Sequence, residues 1–100
     1  MKFKKGVKLE GVCPEIVAVW HVAEGVYNRL GEELVITSVC EGKHGPNSLH
    51  YSGKATDLRT RVFKSEAYIN EAASLIRKRL TDEYDVVVEA THIHVEFDPK

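Results

Sequence analysis

The sequence predicts an α+β domain, a small and mostly antiparallel sheet with two main helices packed on it. Three observations carry that expectation. Two stretches show apolar residues at helical spacing, the other apolar runs are short and β-branched, and helix and strand signals alternate along the chain. With 100 residues there is room for one hydrophobic core, so residues 1–100 are read as a single domain.

The first helix begins at Pro14, which suits a first helical turn because the N–H it lacks would have no partner there. Ile16, Trp20, Ala23, Tyr27 and Leu30 then recur along one helical stripe, and Gly31 stands where a C-terminal cap is expected. "ELVITSV" (33–39) is short and β-branched, hence a buried strand. "CEGKHGPNS" (40–48) holds two glycines and a proline and reads as a loop. "GKATDLRT" alternates Ala55, Asp57 and Arg59 against Lys54, Thr56 and Leu58, the period of a second strand. Ser65 can cap a second helix whose apolar face is Tyr68, Ile69, Ala72, Leu75, Ile76 and Leu80. "YDVVVEA" (84–90) and "HIHVEF" (92–97) are strand-like, either two strands or one bent strand.

Composition narrows the function classes. Apolar residues at 43% and charged residues at 29% are ordinary for a globular protein, and a net charge of −1 gives no reason to expect nucleic acid or an anionic membrane as partner. The lysines at 2, 4, 5 and 8 read as a solvated edge. "MKFKK" is followed by "GVKLEGVCPE" instead of an apolar segment, and no apolar run approaches the ~20 residues of a membrane span. The expected location is therefore cytoplasmic as synthesised. Cys13 and Cys40 are too few for a disulfide scaffold and read as two small half-buried apolar residues, with a single bridge as the alternative.

Chemistry concentrates in the histidines. Of five, four fall in two short stretches at loop–strand junctions: His44 with His50, and His92 with His94. His21, beside Trp20 on the first helix, reads as surface or partial core. Residues i and i+2 of a strand share a face, so His92 and His94 point the same way with Cα atoms roughly 6.6 Å apart. One can bind a metal while the other stands beside it, and Asp57 and His50 can supply the remaining ligands. Two imidazoles and a carboxylate leave a fourth tetrahedral position for water, the donor set of a catalytic zinc site.

"SLHYSGKATDL" followed by "THIHVEF" resembles the hedgehog/DD-peptidase superfamily. This group joins the zinc peptidases that cut peptidoglycan stem peptides with the amino-terminal signalling domain of hedgehog proteins. The shared pattern is S-x-H-x-x-G-x-A-x-D, an intervening helix, then H-x-H, and it spans residues 36–97. Its wording is closer to hedgehog domains and their small bacterial or phage relatives than to the larger carboxypeptidases. The resemblance implies one zinc ion on His50, Asp57 and His94. It also implies catalytic roles for Glu89 as proton carrier and for His92 and His44 beside the reacting carbonyl, with Ser48 supporting a ligand. Glu89 stands three residues before His92 and five before His94. Many peptidases place the acid three residues before the last ligand, so the third ligand is His94 or, on that spacing, His92. Only Glu41 represents the acidic cluster that binds calcium in hedgehog domains, so no calcium site is expected. Lys43 stands near the position of the arginine with which many of the carboxypeptidases hold a substrate carboxylate.

The function the resemblance implies is zinc-dependent hydrolysis of a peptide, peptidoglycan stem peptides foremost, of D,D-carboxypeptidase or endopeptidase type. The alternative is a non-catalytic, zinc-bound module that binds a protein partner, because hedgehog domains keep the zinc geometry while acting as ligands.

Overall fold

The computed structural model of the chain describes residues 1–39 and 53–99. Its elements are β1 (Lys2–Phe3), α1 (Pro14–Arg29), β2 (Val35–Ser38), β3 (Ala55–Arg59), α2 (Glu66–Arg79), β4 (Tyr84–Val88) and β5 (His92–Phe97). The strands form one sheet in the order β1-β2-β3-β5-β4, parallel between β1 and β2 and antiparallel elsewhere. The α+β class is as expected, and the segment after Tyr84 is two strands closed into a hairpin.

The expectation omitted β1. Its two residues are both exposed, so no burial pattern announces a strand, and "MKFKK" reads as a charged edge. The pairing is made by backbone: the Lys2 N–H donates to the Leu34 carbonyl at 2.9 Å and the Lys4 N–H to the Ile36 carbonyl at 2.8 Å.

In α1 Ile16, Trp20, Ala23 and Tyr27 of the expected stripe are buried, joined by Val19 and Val26, while Leu30 is the C-cap and only half-buried. Gly31, at φ +80°, ends the helix. The Gly31 N–H returns to the Asn28 carbonyl at 3.0 Å and the Glu32 N–H to the Tyr27 carbonyl at 2.9 Å, a closure that needs a left-handed residue. Cys13, just ahead of α1, is a half-buried free thiol; Cys40 lies outside the described residues. In α2 the Ser65 hydroxyl accepts from the Tyr68 N–H at 3.5 Å, as expected of a cap. Tyr68 itself is 47% exposed, against the expectation that it faces the core. The inward stripe is centred on Ile69, Ala72, Ala73 and Ile76, which leaves position 68 roughly a quarter turn to the side. No helix among the described residues is long and apolar enough to cross a membrane.

Both helices pack on one face of the sheet, where Ile36, Leu58, Val86, Ile93 and Val95 join the core. Strand alternation then sends Asp57, His92, His94 and Glu96 to the opposite face. Two hydrogen bonds from α1 fix β3 between these faces. The Trp20 Nε1–H donates to Thr56 Oγ1 at 3.0 Å, and the Thr56 hydroxyl donates in turn to the Ser38 carbonyl at 3.1 Å. Tyr27 donates its hydroxyl to the Arg59 carbonyl at 2.7 Å, and burial pushes its pKa well above the ordinary tyrosine value.

Gly53 explains one letter of the motif. It sits at φ +73°, and a Cβ there would meet the Gly11 carbonyl oxygen at 2.1 Å and the Val12 Cα at 2.9 Å. The Gly53 carbonyl accepts from the Cys13 N–H at 3.1 Å, so this close approach ties the start of β3 to the entry of α1. Gly53→Ala should therefore lower unfolding stability by about 2 kcal/mol or more, measured by denaturant titration. An unchanged midpoint would show that the contact is not maintained in solution.

Candidate metal centre

Strand pairing brings the donors together. In the β3–β5 register Asp57 lies opposite His94 and Arg59 opposite His92. On the other side the Thr37 hydroxyl donates to the Asp57 carbonyl at 3.4 Å, where the β2–β3 register shifts. That bond fixes the Asp57 backbone, and the residue is 9% exposed.

Both imidazoles reach one carboxylate oxygen. His94 Nδ1 stands 2.9 Å from Asp57 Oδ1, and His92 Nε2 stands 3.5 Å from the same atom. Ligand atoms from Asp57, His92 and His94 all lie within 4.8 Å of one another, a group that could hold a metal ion. A carboxylate with two imidazoles suits a borderline divalent metal such as zinc.

The far nitrogen of each ring is also engaged. His94 Nε2 lies 2.8 Å from Glu96 Oε1; the carboxylate accepts, so this nitrogen carries the proton. Nδ1 is then the atom His94 presents to Asp57 or to an ion. His92 Nδ1 lies 3.1 Å from Thr91 Oγ1, leaving Nε2 to face Asp57. Such outer partners fix ring orientation and tautomer in metal sites. The same contacts raise the His94 pKa: the hydrogen bond to Asp57 contributes most, that to Glu96 adds to it, and burial opposes both. In the metal-free chain both carboxylates favour the charged, imidazolium form of His94.

Asp57 opens onto a cleft of about 610 Å³, whose wall includes Thr37, Ser38, Arg59, Thr60, Phe63 and Thr91. A ligand in this cleft would have Asp57 in its wall.

No family model matches the chain, and no curated protein matches it. The hedgehog/DD-peptidase resemblance rests on the motif residues themselves.

Among the expected site residues, Asp57, His92 and His94 come together. Glu89 stands exposed just after β4, its N–H donating to the His92 carbonyl at 2.8 Å across the Ala90–Thr91 turn. Among the described residues its side chain makes no hydrogen bond or ion pair with the triad. His44 and His50 lie outside the described residues, as do Glu41, Lys43 and Ser48. Sequence reasoning missed Glu96 and Thr91. For Glu96 the signal was present, since a residue two beyond His94 must share its face.

Two outcomes follow for the triad. Glu96→Ala should weaken zinc binding about tenfold or more in a chelator competition, with Glu96→Gln falling between it and the parent. Equal affinities in all three would remove Glu96 from the site. For the metal-free protein, a raised folded pKa means that His94 stabilises the fold fully below the ordinary histidine value near 6.5 and progressively less as pH rises through its elevated pKa. Thermal melts from about pH 5.5 to about pH 9 should show that alkaline decline, and His94→Gln should flatten it.

Proposed function

We propose that the protein is a zinc-dependent peptidase of hedgehog/DD-peptidase type, hydrolysing a peptidoglycan stem-peptide bond. The observation that carries this reading is the convergence of the two halves of the motif. Asp57 from "GKATDL" and the paired histidines of "HIH" meet at one buried carboxylate oxygen, beside a cleft large enough for a peptide segment.

Asp57 and His94, with His50 or His92, would hold the ion; when bound, zinc supplies Lewis acidity toward water and the scissile carbonyl. The remaining work falls to the chain. Asp57 contributes charge to the ion and, being buried, keeps that charge close and poorly screened. Glu96 and Thr91 hold the two rings in their orientations. Glu89 receives a proton from the attacking water and returns it to the leaving amine, a general acid–base role. A ring not engaged as a ligand, His92 on the first assignment, donates toward the carbonyl oxygen as negative charge develops there. Removing one such donor costs on the order of 10²–10³ in rate.

The position of Glu89 favours a second reading. An exposed side chain with no bond to the triad among the described residues suits a zinc-bound module that recognises a protein without cleaving it. In that case the metal serves folding and surface shape.

Digestion of purified peptidoglycan fragments with the zinc-loaded protein, read by mass spectrometry, separates the two. Stem-peptide cleavage that vanishes in Glu89→Gln, with zinc retained, is the expected result. No cleavage at high protein concentration with zinc bound one to one would overturn the peptidase and leave the binding module.

A further inference from the structure

The cleft beside Asp57 carries more positive charge than the chain as a whole would suggest. Lys4, Arg59, Arg61 and Lys64 all line it, against Asp57 and Glu66, in a protein whose net charge is −1. Asp57 is already engaged by the two histidines, which leaves Glu66 at the start of α2 as the one other acid, among the described residues of the wall, to offset four cations. Among the described residues none of the four makes an ion pair.

Arg59 differs from the others. It is half-buried, lies directly opposite His92 in the β3–β5 register and so shares the face of the triad. Its backbone is pinned by Tyr27 at 2.7 Å. Held on a rigid strand and half-buried, Arg59 leaves its guanidinium without an anionic partner among the described residues. An oxyanion in the cleft would supply that partner in bidentate form, which a guanidinium suits better than an ammonium. Arg61 and Lys64 follow within five residues at exposed positions on the same wall, where they add charge at the mouth.

We propose that this cleft binds a ligand group bearing more than one negative charge, a dicarboxylate or a phosphate, with Arg59 as its central contact and Arg61 and Lys64 beside it. The assignment rests on the reading of the triad as the reacting centre only in naming the ligand's class; the anion site itself needs no metal. The charge count is what separates it from recognition of a single carboxylate, for which one cation suffices.

Amide chemical shifts of the full chain, followed during titration with acetate, glutarate and inorganic phosphate at constant ionic strength, provide the test. The titration is run on metal-stripped and on zinc-loaded protein. A dianion should bind about tenfold tighter than acetate, with shifts centred on Thr60, Phe63, Ser65 and Thr91. Arg59→Gln should abolish the saturable response, Arg61→Gln should weaken it, and Lys78→Gln, remote on α2, should leave it unchanged. Tighter glutarate than phosphate would point to acidic peptides, and the reverse to a phosphoryl group; either supports the site. Equal, unsaturable responses to all three anions, or a response that survives in both arginine variants, would overturn it. Saturable dianion binding without zinc binding would retain the anion site while removing the metal reading.

Discussion

Everything distinctive about this structure depends on keeping a carboxylate where water barely reaches it. Asp57 is 9% exposed, and a buried carboxylate without a positive partner is strongly disfavoured. The fold answers with two imidazoles on one oxygen atom. That arrangement exists only because β3 and β5 pair with Asp57 opposite His94. A slip of one residue would turn Asp57 toward the helices and Thr56 toward the histidines, exchanging the two faces of the strand. Register is therefore the quantity the rest of the molecule must defend. Trp20 defends it from the helix side by bonding Thr56, Tyr27 by bonding the Arg59 carbonyl, and Gly53 by locking the start of β3 against the backbone at Gly11. The hydrophobic core and the polar site are two consequences of the same strand.

Much of this was legible in the sequence because it follows from periodicity. The α1 stripe, the Ser65 cap, the Gly31 stop and the alternation of β3 each rest on a local rule with a physical cause, and each is found where expected. The pairing of His92 with His94 on one face followed from the pleat alone. What was not legible depends on partners distant in the chain. No local pattern distinguishes Lys2–Phe3 from a charged tail, because β1 is held by backbone bonds to a distant segment and by the Phe3 ring against Trp20 of α1, neither of which is local in sequence. The outward position of Tyr68 has a related cause: a broad apolar stripe does not reveal its centre until the sheet beneath it is known. Glu96 was within reach of reasoning, since the rule that aligned His92 with His94 extends one step further. In sequence Arg59 is only a strand residue, and its significance emerges when the hairpin turn, the β3–α2 connection and Lys4 just after β1 line a cleft with it.

The electrostatics of the triad bear on what it selects. His94 stands between Asp57 and Glu96, and both carboxylates favour its protonated form. A metal that used Nδ1 would displace any proton held there, while the Glu96 carboxylate, able only to accept, favours a proton on Nε2 and orients the ring. Two imidazoles and a carboxylate are a donor set suited to ions with affinity for imidazole nitrogen, of which zinc is one.

Asp57 and Arg59 are two residues apart on one strand, so their side chains leave the same face of the sheet. The first faces two imidazoles and, by proposal, an ion. The second has no anion among the described residues and lines the same cleft. A ligand entering that cleft meets a cation-binding pole and an anion-binding pole in fixed order, set by backbone geometry instead of by flexible loops. An extended chain with an electron-rich carbonyl at one point and a negative group a short distance along can satisfy both poles in one direction only. Reversed, it would place its negative group against Asp57 and leave Arg59 without a partner. Two alternating positions of β3 thus give the site a direction as well as a location, which a hydrolase needs to choose a bond and a binding module needs to choose a partner.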